Sequence, residues 1–453
     1  MTHAVPHMTH HSVSLFSNCG AGDLGYVESG FRFEVMAELE PNRLAVCHLN
    51  HPESEPVEGD LRKTWETVLD KLTERQGTRA GDAPLALLTA CPPCQGMSSA
   101  RNDLGRGDDP DAGSKDERNL LVTVIADVVE ATRPRLVVVE NVPQFLTRKV
   151  RHPETDGAVT AARYLTEKLG ALGYEAYPVV VDLADFGVPQ SRRRAFVTYV
   201  HRDLPAFAVL SARGLTPYPR PKHAADYGGE HVTVEQELQG VPSLSAASAE
   251  SARTDGLPDG LRSLHAVPVW SERQFAMVGA IPPDEGGSAW ENRSCERGCT
   301  DLLVGDDDAT CPKCGVGVPL LRPVVVDDGV PRLVKGFRNS SYRRMRADAP
   351  ASTVTTASGR VGSDVTLHHR ETRVLSPYEC QRLQTFPDSF KWGKAIRRGL
   401  GTVRAMIGEA VPPLFTELHG GVLARLLDDP EAVSDDDLLP ATDPRHLRAA
   451  KRL

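Results

Sequence analysis

The chain has 453 residues, of which 40% are hydrophobic and 25% are charged, a composition that excludes global disorder and leaves room for two or three domains. No apolar run approaches the roughly 20 residues that span a bilayer, and the N-terminus lacks the pattern of a signal peptide, so we expect a cytoplasmic protein. Acidic residues outnumber basic ones by 61 to 52, giving a net charge of −9. An evenly spread negative charge would argue against a polyanionic partner.

Residues 1–200 alternate short apolar runs with helical or loop stretches, a pattern typical of a parallel sheet covered by helices. Several runs, such as Leu136-Val-Val-Val-Glu140, are apolar without alternation, as expected for strands buried on both faces. We therefore predict a doubly wound α/β fold. Its predicted strands cover residues 12–16, 33–38, 85–89, 136–140, 176–182 and 195–199.

The first predicted strand runs into a glycine-rich turn that opens a helix, Phe16-Ser-Asn-Cys-Gly20-Ala-Gly22. Small residues let a ligand approach the backbone, and the start of a helix offers unpaired amide groups. Glu38, at the end of the second strand, is placed to hold ribose hydroxyls, and Asp60 ends the next unit. On these residues alone, a purely structural turn is an equally good interpretation.

A cysteine on a rigid proline turn, Cys94 in Cys91-Pro-Pro-Cys94, follows the predicted strand 85–89. The carboxyl ends of parallel strands are where α/β sheets place their ligands. A redox dithiol and a buried structural cysteine are the alternatives. Residues 101–117, rich in glycine and aspartate, form a loop that could close over a substrate.

Charged side chains follow the next two strands. Glu140 ends an apolar strand, where a carboxylate is costly unless it is paired or used. In Gln190-Ser-Arg192-Arg193-Arg194, alternation of an extended segment predicts that Gln190, Arg192 and Arg194 point to one side and Arg193 to the other. A solvated basic patch is the alternative.

The order of these motifs resembles the DNA (cytosine-5)-methyltransferase family, of the bacterial restriction-modification or phage-defence type. The resemblance resumes after residue 336 and covers most of residues 12–200 and 336–420. Gly336-Phe337 and Thr353-Val-Thr-Thr356 look like the end of the family's target-recognition domain. Arg373-Val-Leu-Ser-Pro-Tyr-Glu379 and Gly408-Glu-Ala-Val-Pro-Pro413 are similar to its ninth and tenth motifs. The implied fold is the Rossmann-like fold of S-adenosylmethionine-dependent methyltransferases, with a mixed, mostly parallel sheet.

The resemblance implies methylation of carbon 5 of cytosine in duplex DNA, within a specific sequence, with S-adenosyl-L-methionine as the methyl donor. Cys94 would add to carbon 6 of a flipped-out base, and Glu140 would contact ring N3. Arg192 and Arg194 would hold the substrate carbonyl and a nearby phosphate. The implied cofactor-binding residues are Phe16, Gly20, Gly22, Glu38, Asp60 and Glu409.

Three residues depart from the family pattern. Asn18 and Cys91 stand where glycine is usual, and asparagine tolerates the left-handed backbone angles that such a turn requires. Glu409 stands where asparagine normally adjoins the cofactor. A carboxylate there either attracts the sulfonium or weakens binding, and the sequence does not decide between them.

Four cysteines cluster in an irregular segment, a feature that most of this family lacks. Two close pairs with this spacing suit one tetrahedral Zn²⁺, whereas disulfides are disfavoured in a reducing cytoplasm. We predict one structural zinc ion held by Cys295, Cys299, Cys311 and Cys314. The predicted domains are a catalytic and cofactor-binding domain (1–200), a target-recognition domain (201–372) with a zinc knuckle (295–314), a return to the catalytic domain (373–427) and an acidic, then basic, partly ordered tail (428–453).

Local charge revises the inference drawn from the net charge. Residues 332–346 contain six bases and no acid, and residues 391–404 contain five bases and no acid. We predict phosphate binding for most of them, with solvated faces as the alternative. Six of the acids fall in residues 428–437 and three in 306–308, so the acidic surplus lies in a tail and a loop.

The predicted partner is double-stranded DNA, bound by a monomer, with a cognate restriction or defence system as a possible companion. One alternative is an RNA (tRNA) cytosine-5 methyltransferase, although the large insert favours reading of duplex DNA. A second alternative, a weakly active DNA-binding regulator with the same fold, has Glu409 as its support.

Overall fold

The computed structural model describes residues 10–79, 81–82, 85–93, 117–155, 157–335 and 338–453. The chain divides into two compact units. Unit 1 comprises Met1–Phe186, Arg193–Gly229 and Val411–Leu453, and unit 2 comprises Gly187–Arg192 and Glu230–Ala410. No helix among the described residues has both the length and the apolar character needed to cross a membrane.

The first part of unit 1 alternates strands and helices. In chain order they are β1 (His10–Leu15), α1 (Ala21–Glu28), β2 (Phe31–Glu38), α2 (Pro41–Asn50), β3 (Glu55–Glu58), α3 (Leu61–Gln76), β4 (Leu87–Ala90), α4 (Leu121–Thr132), β5 (Leu136–Asn141), β6 (Lys149–Arg151), β7 (Ala158–Thr160), α5 (Ala161–Ala171), β8 (Tyr174–Asp182), β9 (Arg193–His201), α6 (Pro205–Arg213) and β10 (Leu215–Pro219).

Unit 2 contains short elements joined by long irregular connections. They are α7 (Val234–Leu238), α8 (Asp259–Arg262), α9 (Glu272–Gly279), β11 (Thr310–Cys311), β12 (Gly315–Pro319), β13 (Val324–Asp327), β14 (Val330–Leu333), α10 (Pro377–Leu383) and α11 (Leu400–Glu409). Unit 1 then resumes with α12 (Pro413–Asp428), β15 (Leu438–Pro440) and α13 (Pro444–Ala450).

Seven strands of unit 1 form one sheet in the order β3-β2-β1-β4-β5-β9-β8. Strand β9 runs antiparallel to both of its neighbours, whereas the other strand pairs are parallel. This confirms the predicted mixed, mostly parallel α/β sheet. Residues 136–139 of β5 are buried throughout, as their uninterrupted apolar sequence predicts.

Six of the seven strands of this sheet were predicted, and their ends agree with the structure to within two residues. The seventh, β3, is missing from the prediction. In its sequence Glu55-Pro-Val-Glu58 only Val57 is apolar and buried, so hydrophobic periodicity gives no signal. Helices α1 and α12 pack closely at Gly25. A Cβ atom there would lie 2.3 Å from the backbone of α12, so only glycine fits.

The predicted tail is a folded part of unit 1, so the expectation of a partly ordered appendage is wrong. Strand β15 pairs antiparallel with β10, and its residue Leu439 is fully buried. In α13, the Arg445 guanidinium lies 3.0 Å from Asp185 and 2.9 Å from Asp226. The acidic residues of the segment also pair with bases of unit 1, among them Arg213, Arg220, Lys222 and Arg425.

The compact units divide the chain at other positions than the predicted domain boundaries at 200/201 and 372/373. Helix α6 and strand β10 extend unit 1 to Gly229, because β10 pairs with β15. Helices α10 and α11 belong to unit 2 rather than to a return to unit 1.

Unit 2 has its own apolar cluster, which includes Trp270, Val278, Ile281 and Leu367. Helix α10 begins with a capping box. Ser376 accepts a hydrogen bond from the Glu379 amide, and the Glu379 side chain accepts one from the Ser376 amide.

Candidate active site

The turn between β1 and α1 is held in a conformation that few residues tolerate. Phe16, Asn18 and Gly20 have φ angles of 58°, 49° and 77°. The left-handed angle at Asn18 confirms that asparagine can replace the usual glycine there. At Gly20 a Cβ atom would lie 2.7 Å from the His51 ring, whose Nε2 is 2.7 Å from the Gly20 carbonyl oxygen. The turn is therefore rigid, with little room for larger side chains.

Glu38 lies at the end of β2, next to this turn. One carboxylate oxygen accepts a hydrogen bond from the Asn18 amide at 2.9 Å, and the other accepts one from the Glu40 amide at 3.0 Å. A carboxylate has about four acceptor positions, so it can also accept hydrogen bonds from a diol. Gly22, in the first turn of α1, packs against Val411 of unit 1.

Asp60 follows β3 and caps α3. Its carboxylate accepts a hydrogen bond from the Arg62 amide at 3.0 Å and is paired with the Arg62 guanidinium at 2.6 Å. Hydrogen bonding to Arg62 lowers the pKa of Asp60, so the carboxylate is ionised at neutral pH. Phe16, Gly20, Gly22, Glu38 and Asp60 thus follow or flank three neighbouring strands of the sheet, β1, β2 and β3.

A buried carboxyl group behind the turn was missed by sequence reasoning. Asp23, in α1, accepts hydrogen bonds from the hydroxyls of Ser14 at 2.9 Å and Thr89 at 3.0 Å. Burial raises the pKa of Asp23 to about 7, although both hydrogen bonds oppose that shift. The available signal was the pair of hydroxyl residues, Ser14 and Thr89, inside otherwise apolar strands.

Two charged side chains meet at the ends of β5 and β9. Glu140 Oε1 lies 2.9 Å from Arg194 Nε, and the two side chains are 12% and 16% exposed. The strands place them there, because Glu140 pairs with Phe196 and Asn141 with Ala195 in the antiparallel ladder. Glu140 and Arg194 therefore lie together at one edge of the sheet.

The end of β4 is fixed against the same edge. Asn141 Nδ2 donates a hydrogen bond to the Pro92 carbonyl oxygen at 2.9 Å, and the Cys91 amide donates one to Leu15 at 3.3 Å. Burial and the Glu140 carboxylate raise the pKa of the Cys91 thiol well above its usual range. Cys94 follows three residues after Cys91 and lies outside the described residues, as do residues 101–116 of the predicted loop.

The family model for C-5 cytosine-specific DNA methylases matches residues 10–266 and 299–422. The chain belongs to this family. It is 27% identical over 415 residues to the type II methyltransferase M1.HgaI of Avibacterium volantium, covering 89% of this chain and 95% of the relative. It is 28% identical over 456 residues to the type II methyltransferase M.AgeI of Thalassovita gelatinovora, covering 89% and 96%.

The fold is also found among solved structures. A protein assigned as a DNA modification methyltransferase, encoded within a prophage of E. coli, matches with a TM-score of 0.53 at 21% identity, covering 93% of this chain and all of that one. Membership of the C-5 cytosine-specific DNA methylase family explains the mixed sheet of unit 1. The activity of the chain is that of a DNA cytosine-5 methyltransferase that uses S-adenosylmethionine.

The Arg192 side chain is bonded to backbone carbonyl groups of the chain. The residue belongs to unit 2, its side chain is 1% exposed, and its Nη atoms donate to the carbonyl oxygens of Val354, Gly408 and Ala410 at 2.8–3.1 Å. Gln190 is bonded to the same segment through the Val354 amide. These contacts stabilise the backbone near Val354 and Gly408, and the role of Arg192 at the substrate stays a prediction.

The other residues singled out in unit 2 are only partly described. Glu409 is the last residue of α11 and is exposed. Gly336 and Phe337 lie outside the described residues. Two of the predicted phosphate-binding arginines, Arg344 and Arg404, are instead buried and donate to backbone carbonyl oxygens.

The four cysteines of unit 2 converge as predicted. Their sulfur atoms all lie within 4.8 Å of one another, and those of Cys299 and Cys314 are 3.5 Å apart. A tetrahedral ion with Zn–S bonds of about 2.3 Å requires S···S distances of about 3.8 Å, so the cluster has the dimensions of a zinc site. Left-handed glycines, Gly298 and Gly315, turn the chain after or within each pair of cysteines.

Proposed function

We propose that the protein methylates carbon 5 of a cytosine in duplex DNA, within a specific sequence, and that Cys94 is its nucleophile. The observation that carries this assignment is the Glu140–Arg194 pair, which lies beside the turn formed by residues 91–93. In this chain, which belongs to the methylase family, that turn leads directly to Cys94. The reacting atoms are inaccessible within a stacked duplex, so the target base has to be flipped out.

Carbon 5 of cytosine is a poor nucleophile until another group adds to the ring. The Cys94 thiolate would form a bond to carbon 6, and the electron pair of the 5,6 double bond would move toward ring N3. Glu140 would supply or share a proton at N3, and Arg194, held by Glu140, would contact the base oxygen. The electron-rich carbon 5 would then form a bond to the methyl group that the bound cofactor would supply, as the bond between that methyl group and the cofactor's sulfur breaks. Loss of the proton on carbon 5 would restore the double bond and expel the Cys94 sulfur.

S-Adenosylmethionine supplies an electrophilic methyl group when it is bound. We assign its binding to Phe16, Gly20 and Gly22 in the turn, Glu38 at the ribose hydroxyls and Asp60 at the adenine. The acceptor capacity of Glu38 and the ionised state of Asp60 support these roles.

Purified protein incubated with labelled S-adenosylmethionine should label plasmid DNA and leave tRNA unlabelled. The wild type should also form a covalent adduct with DNA that contains 5-fluorocytosine, because that base has no proton to lose from carbon 5. Cys94→Ser should lose both activities. Labelling of tRNA alone would favour the RNA alternative, labelling of neither would favour the regulator, and an adduct with Cys94→Ser would remove Cys94 from its role.

We further propose that Cys295, Cys299, Cys311 and Cys314 hold one structural zinc ion within a target-recognition domain that corresponds to most of unit 2. The convergence of four sulfur atoms supports a closed site with no open position for catalysis. Metal analysis should find about one zinc per chain. A metal-free protein that methylates DNA at the wild-type rate would contradict the zinc site.

A further inference from the structure

Cys91 occupies a position where the family usually has glycine, and the sheet places it beside Glu140. In the parallel ladder of β4 and β5, the last pair is Ala90 with Val139. Cys91 follows directly after the end of β4, and Glu140 is the next residue of β5. Neighbouring strands lie about 4.8 Å apart, and side chains at paired positions project from the same face. The strand register therefore brings the Cys91 thiol and the Glu140 carboxylate close together.

Both backbones are fixed at this point. The Cys91 amide is bonded to Leu15, and the carbonyl of the next residue, Pro92, accepts a hydrogen bond from Asn141. The Glu140 carboxylate is one of the groups that raise the pKa of the Cys91 thiol, in keeping with the adjacent positions of the two residues. Since burial and this carboxylate raise the pKa of Cys91, its sulfur keeps its proton and acts as a donor.

We infer that Cys91 is a positioning residue for the reaction, whose thiol donates a hydrogen bond to Glu140 and, together with Arg194, fixes the orientation of the carboxylate. Arg194 Nε contacts one oxygen, and its Nη1 is engaged by the Arg193 carbonyl oxygen at 2.8 Å. The carboxylate is thus held from two sides. A glycine at position 91 would remove one of these two donors.

This inference rests on the proposed role of Glu140, and its test compares variants that differ at one atom. Cys91→Ala keeps most of the volume and removes the donor, whereas Cys91→Ser keeps a donor. A thiol is a weak donor, so we expect kcat to fall about threefold to tenfold in Cys91→Ala, with KM values for DNA and cofactor unchanged. Cys91→Ser should stay within about twofold of the wild type.

A second measurement separates positioning from packing. In single-turnover assays on a Glu140→Gln background, Cys91→Ala should cause little further loss, because the group that it orients is already altered. Cys91→Gly, which restores the family residue, should behave like Cys91→Ala and serves as the second variant if that one is unstable.

The inference is overturned if Cys91→Ala matches the wild type, if Cys91→Ser is as slow as Cys91→Ala, or if the losses multiply on the Glu140→Gln background. Each of these results requires an active wild-type enzyme. A wild type that leaves DNA unmethylated would instead contradict the proposed function, so the two failures are distinguishable.

Discussion

Each unit of the molecule contains a glutamate paired with an arginine, and the two pairs differ in how completely the chain engages them. In unit 1, Glu140 and Arg194 meet through one oxygen and one nitrogen and remain 12% and 16% exposed. In unit 2, Glu379 is 0% exposed and accepts hydrogen bonds from both Nη atoms of Arg373, at 2.6 and 2.7 Å, and from the Ser376 amide at 2.7 Å.

The difference separates a group that can serve a substrate from one that holds the fold. Burial alone would raise the pKa of Glu379, but the charge and hydrogen bonds of Arg373 hold it well below its usual range. Such a pair uses the bonding capacity of both groups within unit 2. Glu140 keeps acceptor positions and some solvent access at the sheet edge, where the proposed chemistry takes place.

The largest expected effect is on activity in unit 1. Glu140→Gln should lower the methylation rate by about 10²–10⁴-fold, the range for loss of a positioned general acid, while stability changes by about 1 kcal/mol or less. Steady-state methylation and urea unfolding measure the two quantities. Glu175→Gln, which breaks an exposed pair with Arg202, is the matched control and should alter neither. An equal loss of methylation rate in both variants would contradict a specific role for Glu140.

In unit 2 the same substitution should act on stability instead. Glu379→Gln removes the buried one of the two carboxylates paired with Arg373, the other being the partly exposed Glu371, and should cost about 3–5 kcal/mol of unfolding free energy. Urea unfolding followed by tryptophan fluorescence reports it, because Trp270, Trp290 and Trp392 lie in unit 2. Glu237→Gln, at a partly exposed pair with Arg382, should cost about 1 kcal/mol or less. A harmless Glu379→Gln would mean that the pair does not hold the unit.

A third carboxyl group sharpens the comparison, because Asp23 is buried with hydroxyl partners rather than with an arginine. With its folded pKa raised to about 7, folding retains a proton that the unfolded chain releases above about pH 4. Stability is therefore fully present below about pH 4 and is lost as pH rises to about 7.

Asp23→Asn should remove this dependence. Between pH 5 and pH 8 the unfolding free energy of the wild type should fall by about 2–3 kcal/mol more than that of the variant. Asp60→Asn is the control, because the pKa of Asp60 is lowered and its titration lies below this range. Parallel pH profiles for the wild type and Asp23→Asn would show that Asp23 is ionised throughout.

The smallest expected effect is on DNA affinity and concerns the two basic segments of unit 2. These segments also differ in how far their charged side chains are paired. In residues 332–346, arginines pair with nearby acids: Arg332 with Asp327, Arg338 with Asp307 and Arg346 with Asp348. In the 3-10 helix Gly393–Arg398, Lys394, Arg397 and Arg398 are exposed, and no carboxylate of the described residues is paired with them.

Replacing Lys394, Arg397 and Arg398 together by glutamine should weaken DNA binding about tenfold and flatten the dependence of log K on log salt by about 0.9 for each lost phosphate contact. Replacing Arg332, Arg338 and Arg346 in the same way should change affinity less, because those arginines already have partners. Fluorescence anisotropy at several salt concentrations measures both. A larger loss of DNA affinity from replacing Arg332, Arg338 and Arg346 would show that this segment, and not residues 394–398, makes the main phosphate contacts.

Sequence reasoning predicted the sheet, the turn at Asn18, the Glu140 edge and the convergence of four cysteines, because each depends on local pattern or on strand order. It could not predict the surroundings of Arg192, which depend on carbonyl groups distant in sequence at Val354 and Gly408. The ordered structure of residues 428–453 was not predicted for the same reason, since the partners of its charged side chains lie about 200 residues upstream. Counting charges likewise could not separate Arg404, which is buried, from the exposed Arg397.

The measurement that tests the central claim most directly is bisulfite sequencing of plasmid DNA from a host that expresses the protein, with Cys94→Ser as the control. The account predicts 5-methylcytosine confined to one sequence context in the wild-type sample and none in the Cys94→Ser sample. Unmethylated DNA from cells that contain folded wild-type protein, or equal methylation by Cys94→Ser, would contradict it.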